Sequence, residues 1–140
     1  MTGTDLRFWH QFRNLVDRER PDLSTSAPRD HNSLDVLLGR GDAIISLTRH
    51  RPDGFIRCEL YLKGRGAAAE FEQLASARES IESSLGRLEW RQREGVAARR
   101  IMQARSVTHD DQRSWPDQHA WLLERAVRFK GVFGFHLGAP

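Results

Sequence analysis

The chain has 140 residues, 39% hydrophobic and 29% charged, and its 22 Lys and Arg exceed its 19 Asp and Glu by a net +3. That length suits one domain, so a single α+β domain over residues 1–140 is expected. Its longest apolar runs, such as Ala43-Ile44-Ile45, fall far short of the roughly 20 residues of a spanning helix, and Met1 to Arg13 hold Asp5, Arg7, His10 and Arg13 where a secretory signal needs an apolar core, so a cytoplasmic protein with no membrane contact is expected.

Thr4 reads as the cap for a helix over residues 4–19, where Leu6, Trp9, Phe12 and Val16 recur at the spacing of one buried face. Pro21 to Asn32 has no period and reads as an irregular connection. Strands follow over Leu34 to Leu38 and Ala43 to Arg49, joined by the turn Gly39-Arg40-Gly41-Asp42. Pro52-Asp53-Gly54 turns the chain into a third strand, in which Ile56, Cys58, Leu60 and Leu62 alternate with Phe55, Arg57, Glu59, Tyr61 and Lys63. That alternation marks a half-buried strand of an antiparallel meander.

Ala67 to Leu85 returns to helical spacing through Phe71, Leu74, Ala77, Ile81 and Leu85, and Gly86 stands at the position of a C-terminal cap. Leu88 to Arg91 and Ala98 to Arg105 read as a second hairpin around Glu94-Gly95. Ser114-Trp115-Pro116-Asp117 has the form of an acidic capping box opening a last helix, whose stripe is His119, Leu122, Ala126, Phe129 and Phe133, with Glu124 and Arg128 paired on its flank. The tail from Gly131 to Pro140 reads as docked rather than frayed. The expected fold is thus α+β, an antiparallel sheet of about five strands with three helices in the order α-β-β-β-α-β-β-α.

Four segments carry a family likeness: Phe8-Trp9-His10-Gln11-Phe12-Arg13, Ile56-Arg57-Cys58-Glu59-Leu60-Tyr61-Leu62, Leu88-Glu89-Trp90 and Trp115-Pro116-Asp117-Gln118-His119-Ala120-Trp121-Leu122. Together they resemble the prokaryotic family of domains of unknown function numbered 4268, in the same order over nearly the whole chain. They are framework and aromatic residues rather than catalytic ones. In that family the domain often follows a restriction-nuclease-like module, so the resemblance implies a setting in DNA metabolism or defence against foreign DNA, beside a nuclease-type partner.

Catalytic chemistry finds little support in the residues. A PD-(D/E)xK nuclease needs an acid at a strand start and Glu-x-Lys on the next strand, because two carboxylates hold the metal while Lys steadies the attacking water. Here Asp53 falls in a turn and Lys63 stands four residues after Glu59 rather than two, so an exposed Arg57/Glu59/Lys63 face is the simpler reading. His109, Asp110, Asp111, Asp117 and His119 include metal-ligand types, but the acids suit a helix start and His119 sits on an apolar stripe, so no metal is expected. Cys58, the lone cysteine, alternates with aliphatics and should be buried and inert, with no disulfide or multi-cysteine zinc site open to it. Gly39-Arg40-Gly41-Asp42 and Lys63-Gly64-Arg65-Gly66 match no phosphate-binding loop, and no cofactor is expected.

Charge position is more informative than its sum. Residues 66–86 carry Glu70, Glu72, Glu79 and Glu82 against Arg78, whereas residues 87–105 carry Arg87, Arg91, Arg93, Arg99, Arg100 and Arg105 against Glu89 and Glu94. Alternation puts Arg100 with Ala98, Met102 and Ala104, and Arg99, Gln103 and Arg105 with Ile101. The candidate nucleic-acid contacts are Arg87, Arg91, Arg93, Arg99 and Arg100, touching phosphates, with Trp90 stacking on a base. The function expected is a non-catalytic accessory domain that binds DNA or RNA, or a nuclease-type protein. The alternative is a protein-protein or self-association module, for which the acidic helix or exposed members of Trp9, Trp115, Trp121, Phe133 and Phe135 would supply the surface, with a homodimer as one form.

Overall fold

β-Branched and aromatic alternation around short turns yields one five-stranded sheet in a computed structural model that describes residues 4–138. Its strands are β1 (Ser33–Leu37), β2 (Ala43–His50), β3 (Phe55–Leu62), β4 (Glu89–Gln92) and β5 (Arg99–Ser106), in the spatial order β1-β2-β3-β5-β4. Each neighbouring pair is antiparallel. The second hairpin therefore joins the meander through β5, and β3 lies at the centre. The free edge of β1 is partly covered by the preceding connection, where Thr25 bridges to Val36.

Four α-helices, not three, accompany the sheet: α1 (Thr4–Glu19), α2 (Ala67–Ser76), α3 (Arg78–Leu85) and α4 (Trp115–Leu137), with a 3-10 turn at Gln112–Ser114. The extra helix arises because Ala77 leaves helical geometry (φ −107°, ψ 17°) within the span read as one helix. Phe71, Leu74, Ile81 and Leu85 stay buried across the break, so the hydrophobic period conceals it. The break redirects the chain: α2 lies against β3 and β5 as well as α4, whereas α3 leaves the sheet and lies against α4. Gly86 does end α3, with a positive φ of 85° that favours glycine.

Two local expectations, both of helix caps, change, and a third, the docked tail, holds. Thr4, read as a cap, already lies within α1. Ser114 makes no capping bond; its hydroxyl donates to the Asp111 carbonyl at 2.7 Å and accepts from Gln118 at 2.9 Å, while Asp117 pairs with Arg105 on β5. The tail carrying Gly131 and Gly134 is helix as far as Leu137, docked where Gln73 donates to the His136 carbonyl at 2.9 Å. Residues 139 and 140 lie outside those described.

The register gathers the core on one face. Ile45, Leu60 and Ile101 form one row across β2, β3 and β5, each fully buried, and Leu47 and Cys58 stand in the next. Phe8, Trp9, Phe12 and Val16 of α1 join the same cluster as Leu122, Ala126, Phe129 and Phe133 of α4. Trp9, Trp115 and Phe133 are therefore core residues, whereas Phe135 is 82% exposed. His119 is buried as expected, with Nε2 2.9 Å from the Phe8 carbonyl.

Arg49, the penultimate residue of β2, is fully buried. It donates to Asp5 at 2.6 Å and to the His109 carbonyl at 3.3 Å, and its guanidinium lies 4.1 Å from the Phe8 ring centroid and 5.2 Å from that of Trp115. One charge thereby joins α1, β2, the loop before α4 and α4 itself. Arg51 makes a second, exposed bond to Asp5 at 2.9 Å.

Two predictions follow from these buried polar groups. Asp5→Ala leaves the Arg49 charge without its hydrogen-bonded carboxylate, and urea unfolding should register a loss of roughly 3 kcal/mol. Burial pushes the His119 pKa down from 6.5 to about 4, so the unfolded chain binds the proton more readily and folded stability drops as pH falls from 6.5 toward 4. Between pH 7 and pH 5 this one group should remove about 2 kcal/mol. His119→Leu should flatten that part of the pH profile in paired urea titrations; His109, also lowered by burial, supplies a remainder of the same sign.

Candidate nucleic-acid interface

Period two on β3 sends Phe55, Arg57, Glu59 and Tyr61 to the face opposite the core. The pairing register then sets Tyr61 beside Arg100 and Arg100 beside Arg91, with Glu59, Met102 and Glu89 forming the next row. Arg93 follows from the hairpin turn. Two adjoining hollows, of about 460 and 430 Å³, run over this surface and share Arg57, Arg91 and Met102. Strand and hairpin residues line both, and no residue of a described α-helix does.

Glu59 is the buried centre of the face, only 2% exposed, where an exposed side chain is expected from sequence. The reason is its neighbours. Arg100 donates to its Oε2 at 2.7 Å, and the Arg57 Nε stands 3.6 Å from its Oε1. Both arginines also lie over rings: Arg100 at 4.5 Å from the Tyr61 centroid and Arg57 at 6.0 Å from that of Phe55. Phe55 in turn stacks on His50 with centroids 4.6 Å apart. Arg91 pairs with Glu89 at 2.9 Å, both side chains more than half exposed. Five guanidiniums, of Arg57, Arg87, Arg91, Arg93 and Arg100, therefore stand against two carboxylates, of Glu59 and Glu89.

The structure brings together some of the expected contact residues and separates others. Arg91, Arg93 and Arg100 share the second hollow, and exposed Arg87 lines the first. Arg99 faces the other way, as its alternation with Arg100 requires, and braces the hairpin by donating to the carbonyls of Val96 at 2.6 Å and Ala97 at 2.9 Å. Trp90 pairs with Ile101 on the core side, half-buried against Phe71 with Arg78 above it, and its indole N–H donates to Glu82 at 3.1 Å. Sequence reasoning missed Arg57 and Tyr61 as parts of the site. The alternation on β3 puts both on its outer face, but only the placement of β5 beside β3 brings them to the hairpin arginines.

The residues weighed for other chemistry are engaged structurally. Nε2 of His109 lies 3.1 Å from the His50 carbonyl, and Asp111 accepts from the Arg113 amide at 3.1 Å. Asp53 stays in its turn, 3.5 Å from His50. Burial pushes the Cys58 thiol pKa up, away from thiolate reactivity. Among the described residues no cluster of three or more His, Cys, Asp or Glu could hold a metal ion, and no helix is long and apolar enough to cross a membrane. The acidic segment serves other contacts: Glu70 pairs with Arg40 at 2.5 Å, and Glu82 accepts from the Leu88 amide at 2.9 Å.

A family model described as "Domain of unknown function (DUF4268)" matches residues 4–136. No curated protein matches the chain. Among solved structures it is similar to that of YbjN, "a putative transcription regulator from E. coli", with a TM-score of 0.50 and 16% identity over 89% of this chain and 87% of that one. At that identity the likeness is one of fold.

Glu82 anchors the start of the hairpin through Leu88 and Trp90, and these two donors hold its carboxyl below the usual range. Glu82→Ala should therefore cost about 1–2 kcal/mol and speed hydrogen exchange at the β4 amides, measured by mass spectrometry, while β2 and β3 stay protected.

Proposed function

The chain belongs to the family Domain of unknown function (DUF4268), and we propose for it a non-catalytic accessory role, binding nucleic acid through the arginine-lined outer face of β3, β5 and β4. The observation that carries this reading is the convergence of Arg57, Arg91, Arg93 and Arg100 on one concave, helix-free surface. Guanidinium is the side chain best shaped for phosphate, since it keeps its charge and presents a planar fork. Arg91 keeps more than half its side chain exposed, and Arg93 is exposed as well, so both reach a ligand without unfolding anything. Arg99 and Trp90 support the hairpin from behind rather than touching the ligand. Action beside a nuclease-type partner, in prokaryotic DNA metabolism or defence, belongs to the same proposal and rests on the family resemblance.

A second reading, self-association or docking of a protein partner, draws on β4. This strand is short, forms the sheet edge and has no partner beyond it among the described residues. Light scattering on the same samples separates the readings, because a dimer mass without nucleic-acid binding favours the second.

Retention of short DNA and RNA at 50 and 200 mM salt is the direct test. Micromolar binding that weakens steeply with salt is the expected result. On duplex DNA, Arg91→Ala with Arg93→Ala should flatten the log K against log salt slope by about 2 units, near 0.9 for each phosphate no longer neutralised. Arg113→Ala removes the same kind of charge from an exposed site at the 3-10 turn and should leave binding unchanged. Undiminished binding in the double variant overturns the assignment.

A further inference from the structure

We propose that this face takes single-stranded nucleic acid, with bases entering the two hollows and phosphates held at their rim; the inference rests on the preceding reading and narrows it. The charges are distributed by depth. Glu59 is buried at the centre of the face, whereas Arg91 and Arg100 keep 56% and 44% of their side chains exposed. A phosphate entering the floor would meet a carboxylate and the apolar flank of Met102, itself 4% exposed. A base meets no such repulsion, since every base carries hydrogen-bond donors and an apolar π-face.

Two stacking stations flank that floor. At one, the Arg100 guanidinium lies over Tyr61; at the other, Arg57 lies over Phe55, which is backed by His50. A guanidinium resting on a ring offers its second face to a base, so each pair is a ready-made platform. Phe55 and Tyr61 point to the same face of β3, six residues apart, which separates the stations by roughly 20 Å at the rise of a strand. A flexible strand can set bases on both while its backbone follows the arginines between them. A duplex keeps its bases stacked inside and offers this surface phosphates alone.

The test compares a 12-mer single strand, as DNA and as RNA, with the duplex of the same sequence, by fluorescence anisotropy on the full chain. Single strands should bind at least tenfold tighter than the duplex. A difference between the DNA and RNA arms identifies the sugar within the supported class. Phe55→Leu and Tyr61→Leu keep apolar bulk and remove the rings, and each should weaken single-strand binding by roughly fivefold or more, a larger loss than either causes in duplex binding; a retained far-UV circular dichroism spectrum reports an intact fold. Equal affinity for both forms, or unchanged single-strand affinity in both leucine variants, overturns the inference and leaves the arginine face standing. No binding of any form by the wild-type chain overturns both.

Discussion

A guanidinium with no access to water packs on the edge-to-face pair of Phe8 and Trp115, and the arrangement of the helices depends on its being neutralised. Arg49 is carried by β2, but its carboxylate, Asp5, comes from the start of α1 and its carbonyl acceptor from the loop before α4. An unpaired charge at that depth costs several kcal/mol, so α1 and the entry to α4 must meet at the same end of β2. His119, bonded to the Phe8 carbonyl, and Trp115, whose indole donates to the His109 carbonyl at 3.2 Å, extend the arrangement. Non-directional burial of Phe8, Phe12 and Phe129 would tolerate several relative orientations of these helices. The directional bonds around Arg49 select one.

That selection gathers α1 and α4 over the face bearing Ile45, Leu60 and Ile101. The other face is left to side chains that must cover themselves. Arginine suits this, because its aliphatic stem and flat head shield neighbours while the charge stays near water. Arg57 and Arg100 lie over rings and roof a carboxylate that no helix reaches. The net charge of +3 conceals this asymmetry. Guanidiniums converge on one surface, while Glu70 and Glu82 serve the opposite side, and the local field rather than the total governs what approaches.

Local pattern made much of this legible. Alternation on β3 gave the buried set Ile56, Cys58, Leu60 and Leu62 and the outward set that includes Arg57 and Tyr61, and the apolar stripe of α4 gave His119 as a core residue. The five strands and their antiparallel sense were equally accessible from turns and period. What alternation cannot encode is which strand lies beside which: that β5 rather than β4 neighbours β3 is a tertiary fact, and it alone unites Arg57 and Tyr61 with the hairpin arginines. The same limit explains Trp90, since a four-residue strand has no face until its register with Ile101 exists. Ala77 breaks a helix without glycine or proline to announce it. Ser114 has the right letters for a cap, but Asp111 and Gln118 engage its hydroxyl first.

Cys58 stands in the middle of the central strand, wholly buried between β2 and β5, with its thiol held protonated by its surroundings. Being the chain's single sulfhydryl, it turns the molecule into its own reporter. A thiol-specific reagent reaches it through an opening of the innermost ladder rather than through fraying at an edge, so alkylation of the native protein proceeds at the pace of that opening. The frequency of the deepest excursions of this sheet is thus recorded in one chemical modification, without a label having to be introduced.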